Sequence, residues 1–173
     1  MLSLKGKHIY LRALELGDLD FLYCIENNTA LWEISGTVVP YSKKILQLYL
    51  DNAHRDIYDV KQLRLCICNS DKNQIGLIDI FDFDPKNRKA GIGIVVSENE
   101  RNTGVGEEAL DLVIDYAFSI LNLHQLYANI LETNSISITL FEKKGFLAIG
   151  VKKDWILSNG EFKNEILYQK IRL

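Results

Sequence analysis

The sequence predicts an α/β fold, with one mixed sheet and helices on both faces. Three observations carry this. Short runs rich in Ile, Leu, Val and Cys alternate with turn clusters through the first half. At Val105 the apolar spacing changes to a period of about 3.6, sustained for roughly four turns. Strand-like runs then return and close on an Asn159-Gly160 turn.

The first strand is predicted over 9–14, and Asp18, after Gly17, is placed as the N-cap of a helix carrying Phe21, Leu22, Ile25 and Glu26. The stretch around Ser35-Gly36-Thr37 reads as loose and ends at Pro40-Tyr41. Ser42 caps a second helix, whose Ile45, Leu46, Leu48, Tyr49 and Ala53 recur at helical intervals. Runs 63–68 and 74–82 form a hairpin around Ser70-Asp71-Lys72-Asn73, and 90–96 is the next strand. From Val105, the residues Ala109, Leu112, Val113, Tyr116, Ala117 and Ile120 make one helical stripe. Glu107, Glu108, Asp111 and Asp115 occupy its other side. A strand over 125–131 precedes a helix over 135–144, which Gly145 stops. The final hairpin pairs 155–157 with 162–171.

A chain of 173 residues suits one domain, taken as 1–173. With 47% hydrophobic and 25% charged residues and 2 prolines, it is neither disordered nor collagen-like. A net charge of −3 exerts no general pull toward nucleic acid or an anionic membrane. No apolar run approaches the roughly 18–20 residues that cross a bilayer. Near the N-terminus, Lys5, Lys7, His8 and Arg12 lie among alternating apolar residues, the pattern of a strand and not of a signal peptide. Cys24, Cys66 and Cys68 lack metal-ligand spacing and read as buried free thiols, which points to reducing cytoplasm. His8, His54 and His124 are scattered, and no metal site is expected.

The chemistry concentrates between the strand at 90–96 and the helix from Val105. The first amides of a helix lack intrahelical partners, and the helix dipole adds partial positive charge there. Gly104 and Gly106 let a bulky anion approach the backbone, and Arg101 adds a formal charge beside them. Arg101, Asn102, Thr103, Gly104, Val105 and Gly106 thus read as a pyrophosphate cradle. By itself Arg-x-x-Gly-x-Gly also fits a plain tight turn. A Walker loop is absent, because no Gly-Lys-Ser/Thr follows. A dinucleotide fold would place the glycines early, in a first βαβ unit.

Two motifs in order carry a resemblance. Arg101-Asn102-Thr103-Gly104-Val105-Gly106 resembles the Arg/Gln-x-x-Gly-x-Gly/Ala acyl-coenzyme A motif of the GNAT superfamily of acetyltransferases. The stretch from Asn134 through Leu140-Phe141-Glu142-Lys143-Lys144-Gly145-Phe146 resembles its second motif. The likeness covers nearly the whole chain and is strongest to the branch of spermidine/spermine and ribosomal-protein N-terminal acetyltransferases. It implies a mostly antiparallel sheet splayed between its fourth and fifth strands. It also implies acetyl-CoA as donor, with the pantetheine arm along Ile94, Val95 and Val96 and the pyrophosphate at 101–106. Asn134, Ser137, Phe141 and Lys143 are assigned to the remainder of that site. Transfer is expected by direct attack of a neutral amine, with an amide of the 94–96 strand polarising the thioester carbonyl.

Many relatives place a tyrosine where this chain has Phe141, which cannot donate a proton. Water or another tyrosine, such as Tyr168, is therefore expected to protonate the sulfur, and Glu98 or Glu100 is a candidate base or simply a solvated loop charge. Asp79, Asp82 and Asp84 are candidates to attract a cationic amine, or else an ordinary solvent face and turn. The residues before Pro40-Tyr41 are Val38-Val39, where polyamine enzymes often carry an acidic pair. The lead expectation is acetylation of spermidine or spermine. The alternatives are acetylation of a protein N-terminus and a non-catalytic acetyl-CoA or polyamine binding module. Exposed edges of the last hairpin invite a homo-oligomer.

Overall fold

A computed structural model describes residues 4–173. Seven strands form one sheet in the order β1-β2-β3-β4-β5-β7-β6. They are β1 (Ile9–Ala13), β2 (Leu63–Asn69), β3 (Gln74–Asp84), β4 (Lys89–Val96), β5 (Gln125–Leu131), β6 (Leu147–Ser158) and β7 (Glu161–Ile171). Neighbours run antiparallel except β4 and β5, which are parallel. The helices are α1 (Leu19–Glu26), α2 (Thr29–Ser35), α3 (Lys43–Asp51), α4 (Ile57–Val60), α5 (Val105–Ser119) and α6 (Ser135–Lys143).

Turn chemistry fixes the hairpins. The Asn69 side chain accepts from the amides of Asp71 and Asn73 at 3.1 and 3.0 Å, closing β2 onto β3. At the other end, Asn159 (φ 52) and Gly160 (φ 80) both take the left-handed conformation, whose twist matches that of the strands. Strand alternation then sorts the apolar side chains onto two faces. Ile78, Ile80 and Ile92 pack under Ala109, Leu110, Val113 and Ala117 of α5. Cys66, Cys68 and Leu77 face the other way, onto Leu22 of α1 and Leu46 and Leu50 of α3.

Several local expectations are corrected. The segment read as loose before Gly36 contains α2, capped by the Asn28 side chain on the Ala30 amide and ended by Gly36 at φ 71. The short helix α4 was not anticipated. Strand β6 starts at Leu147, well before residue 155. Its register shifts between Ala148 and Gly150 and again between Lys152 and Ile156, which breaks the period of two. Cys66 and Cys68 are buried, but Cys24 is exposed.

Asp18 occupies the position preceding α1, yet its carboxylate does not cap that helix. It is 1% exposed and receives both Arg12 terminal nitrogens at 2.8 Å, the Glu15 amide at 2.8 Å and Gln74 at 2.9 Å. The carboxylate thereby ties β1, the 3-10 turn Leu16–Asp18 and the start of β3 together. Among the described residues, no helix is long and apolar enough to cross a membrane.

Candidate active site

Strands β4 and β5 pair over three positions, Lys89↔Gln125, Ala90↔Leu126 and Gly91↔Tyr127, and then diverge. The consequence for β4 follows from hydrogen-bond parity. The Ser97 amide donates to the Ile75 carbonyl at 2.9 Å, and Ser97 stands opposite Ile75 in the register that pairs Gly76 with Val96. Bonded pairs alternate along an antiparallel ladder, so Val95, Gly93 and Gly91 turn their amides toward β3. Ile94 and Val96 turn theirs toward the gap. The splay therefore presents a short strand edge with free donors.

That edge leads through the 3-10 turn Glu98–Glu100 into the loop before α5. Thr103 Oγ1 donates to the Glu100 carbonyl at 2.6 Å and staples the loop. Arg101 Nε donates to the Val96 carbonyl at 3.2 Å, and its terminal nitrogens have no partner among the described residues. Asn102 (φ 61) and Gly104 (φ 92) are left-handed, which turns successive amides inward as a concave nest. Gly104 is the N-cap of α5 and offers no side chain to its first amides. A Cβ at Gly104 would meet nothing within 4 Å, so the space in front of it is open. At Gly106 a Cβ would lie 3.3 Å from Leu140 Cδ2. Gly106 therefore also lets α5 and α6 pack closely, a role beside the anion approach expected of it.

These elements surround a cleft of about 610 Å³. Ile94, Val95 and Val96 line it together with Arg101, Asn102, Gly104 and Gly106. Asn134, Ser137 and Lys143 of the second motif also border it. The Asn134 side chain accepts from the Ser137 amide at 3.1 Å, so its structural work is to cap α6. Lys143 Nζ reaches Glu107 at 2.6 Å, joining the end of α6 to the start of α5. The bond to Lys143 is also the main reason the Glu107 carboxyl sits below its usual range.

Other assigned residues lie elsewhere. Thr103 and Val105 do not line the cleft, and Val105 is buried beneath the loop. Phe141 is 3% exposed and stands edge-on to Phe146, with ring centroids 5.0 Å apart. Tyr168 is buried and donates its hydroxyl to Glu142 Oε1 at 3.1 Å. Burial, followed by that carboxylate, holds the phenol above its ordinary pKa, which makes it a poorer acid. Glu98 is exposed and off the cleft, whereas Glu100 borders it.

The three aspartates separate as well. Asp84 accepts from the Asn87 amide at 2.9 Å and the Asn87 side chain at 2.7 Å, so it belongs to the turn into β4. Asp82 sits at a bulge with φ 48 and accepts from the Tyr127 hydroxyl at 3.2 Å. Burial first, then Asp82, pushes the Tyr127 phenol up to about 12. Asp79 is held by Arg64 Nε at 2.7 Å and stands opposite Gly93. The sequence reading missed Ala30, Leu31 and Ile34, which add a wall from α2. Their i, i+1, i+4 spacing is the local signal that marks them as one helical face.

An open concave nest at a helix start, a cationic arginine and a free strand edge fit a diphosphate-bearing carrier with an extended amide-containing arm. A fold with this site is that of an acyl-coenzyme A-dependent N-acyltransferase. Residues 8–147 match the family model described as Acetyltransferase (GNAT) domain, and the chain belongs to that family. It is an acetyl-CoA-dependent N-acetyltransferase. The chain is 30% identical over 161 residues to the spermidine N(1)-acetyltransferase of Vibrio cholerae serotype O1, covering 92% of this chain and 90% of that protein. It is 28% identical over 159 residues to the Escherichia coli K12 spermidine N(1)-acetyltransferase, covering 91% and 83%. The crystal structure of the V. cholerae spermidine N-acetyltransferase in complex with CoA and spermine superposes with a TM-score of 0.86 at 26% identity. That match covers 94% of this chain and 95% of the other.

Proposed function

We propose that this chain acetylates an aliphatic polyamine, spermidine or spermine. The observation that carries the reading is the near full-length likeness to a spermidine enzyme captured with both CoA and spermine. When bound, acetyl-CoA supplies an activated acetyl thioester. The α5 amides and Arg101 hold its diphosphate, and the Ile94 and Val96 amides hold its arm, one of them polarising the carbonyl. The acceptor enters from the α1–α3 face. There Gly93, opposite Asp79, adds no side chain of its own beside that carboxylate, and Asp82 adds a second negative charge.

An aliphatic ammonium must lose its proton before it attacks, and Glu100, on the cleft wall, is the carboxylate available to receive it through water. The leaving sulfur takes its proton from water in the open cleft. Phe141 has none to give, and Tyr168 directs its own to Glu142. The same reading treats residues 1–173 as one cytoplasmic domain that binds neither nucleic acid nor membrane. Homo-oligomers would form through the edge strand β6, which exposes Leu147, Ile149 and Val151.

Thiol release measured with spermidine, spermine, a Ser- or Ala-starting peptide and an aminoglycoside tests the reading. Turnover is expected with the two polyamines. Turnover confined to the peptide would replace the substrate, and cofactor binding with no turnover would remove the enzymatic reading.

A further inference from the structure

Helix α2 crosses the splay. Its Ala30, Leu31 and Ile34 share the cleft with Ile94, Val95 and Val96 of β4. Its Glu33 forms an ion pair with Lys163 of β7, on the far side of the gap. Tyr168 and Ile166 belong to the α5 side of the sheet, so alternation turns Lys163 and Glu165 to the acceptor face. No α2 residue is buried, and the helix is held by its Asn28 cap, by the Trp32 indole donating to the Glu26 carbonyl at 2.9 Å, and by this ion pair. The roof over the acceptor entrance is therefore tied down by a carboxylate and a primary alkylammonium.

Among the described residues, Asp82 has the Tyr127 hydroxyl alone, beside the paired end of β4 and β5, whereas Asp79, Glu26 and Glu165 on this face are held more firmly. Arg64 clamps Asp79 and Glu26 together at 2.7 Å each and lies 5.6 Å over the Tyr49 ring. A planar guanidinium shared by two carboxylates is not readily displaced by a single ammonium. Lys152, the partner of Glu165, also donates to Asn129 at 2.9 Å and lies 4.9 Å over the Trp155 ring. Glu33 has Lys163 and the Ser158 hydroxyl. A lysine side chain ends in the same group as an aliphatic polyamine, an ammonium on a flexible methylene chain.

Resting on the polyamine reading above, we propose that Glu33 binds the distal ammonium of the acceptor, and that Lys163 is a tethered competitor which holds Glu33 when the acceptor is absent. Binding exchanges one ammonium for another at the same carboxylate. The arrangement selects acceptors with a second positive charge at a distance from the reacting amine. It also keeps α2 in place while the site is empty.

The test compares Glu33→Gln with Lys163→Met, using spermidine and hexylamine, a monoamine with no second charge. Removing the carboxylate should raise the spermidine KM about tenfold and leave that of hexylamine unchanged. Removing the competitor should lower the spermidine KM several-fold. A purely structural latch predicts the same direction for both variants, because each breaks the same ion pair. Shifts in one direction, no shift, or equal shifts for both amines would overturn the proposal while leaving polyamine acetylation intact. If the unaltered protein acetylates no polyamine, the function itself is wrong and this inference falls with it. Thermal melting within a few degrees of the parent confirms that both variants fold.

Discussion

Replacing Gly104 with valine should raise the KM for acetyl-CoA about 100-fold, with the fold retained. Two effects combine. The residue sits at φ 92 and ψ −7, where a β-branched side chain is a genuine outlier costing roughly 1–3 kcal/mol. The loop can relieve that strain only by turning its amides away from their inward orientation. The second effect is steric, since the volume in front of Gly104 is empty of protein and is where the proposed site takes the diphosphate. Charge-assisted bonds from helix-start amides are worth about 1.5–3 kcal/mol each, so losing one or two gives the stated factor. Gly104 is exposed and packs against nothing, so the melting temperature should fall by only a few degrees. Steady-state kinetics with varied acetyl-CoA, beside a thermal melt, checks both parts. An unchanged KM would mean that the diphosphate does not rest here.

The largest expected loss of stability lies far from the cleft. Arg12→Met strands the Asp18 carboxylate, 1% exposed, without its counter-charge. Removing one partner of a buried ion pair costs about 3–5 kcal/mol, and the remaining bonds from the Glu15 amide and Gln74 favour the lower figure. For a chain of this size that corresponds to a drop of roughly 6–12 °C in Tm. The pH dependence gives a sharper signature. Burial alone would raise the Asp18 carboxyl, but the bonds from Arg12, the Glu15 amide and Gln74 outweigh it and hold it at about 2, against an ordinary 3.8. A depressed carboxylate contributes stability above its unfolded pKa and loses it as pH falls toward the folded value. The shift is worth roughly 2 kcal/mol, present at neutral pH and lost between about pH 4 and 2. The stability gap between the parent and Arg12→Met should therefore be widest near pH 7 and narrow below pH 4. Denaturant melts across that range measure it, and a gap independent of pH would dismiss the pair as the cause.

These two residues also show what the amino-acid sequence reveals and what it conceals. The loop and helix start of the candidate cradle were legible because their signals are local. Arg101, Gly104 and the onset of helical periodicity at Val105 lie within one short segment, and the structure keeps them together. Asp18 was legible as a helix start but not as an ion pair, because Arg12 and Gln74 reach it through tertiary contact. The same limit applies to Phe141, since no local pattern tells whether its ring faces the cleft or Phe146. Gly106 borders the cleft, but its second role, making room for Leu140 on a helix thirty-odd residues later in the chain, depends on tertiary packing. Helix α2 and the first half of β6 were missed for a different reason. One is a short helix with no buried residue, and the other is an edge strand whose bulges interrupt its alternation. Asp79 could be predicted to lie on the sheet, but its capture by Arg64 depends on how β2 and β3 align.

The divergence of β4 from β5 leaves the Ile94 and Val96 amides free, and in the proposed function they hold the carrier arm. Amide hydrogen exchange, resolved by residue with and without saturating CoA, tests it directly. Ile94 and Val96 should exchange fast in the free protein and slow on addition of CoA, together with the amides of residues 104–106. If those amides are already protected without ligand, or if CoA slows a different set and leaves them unchanged, the splay is not where the carrier binds.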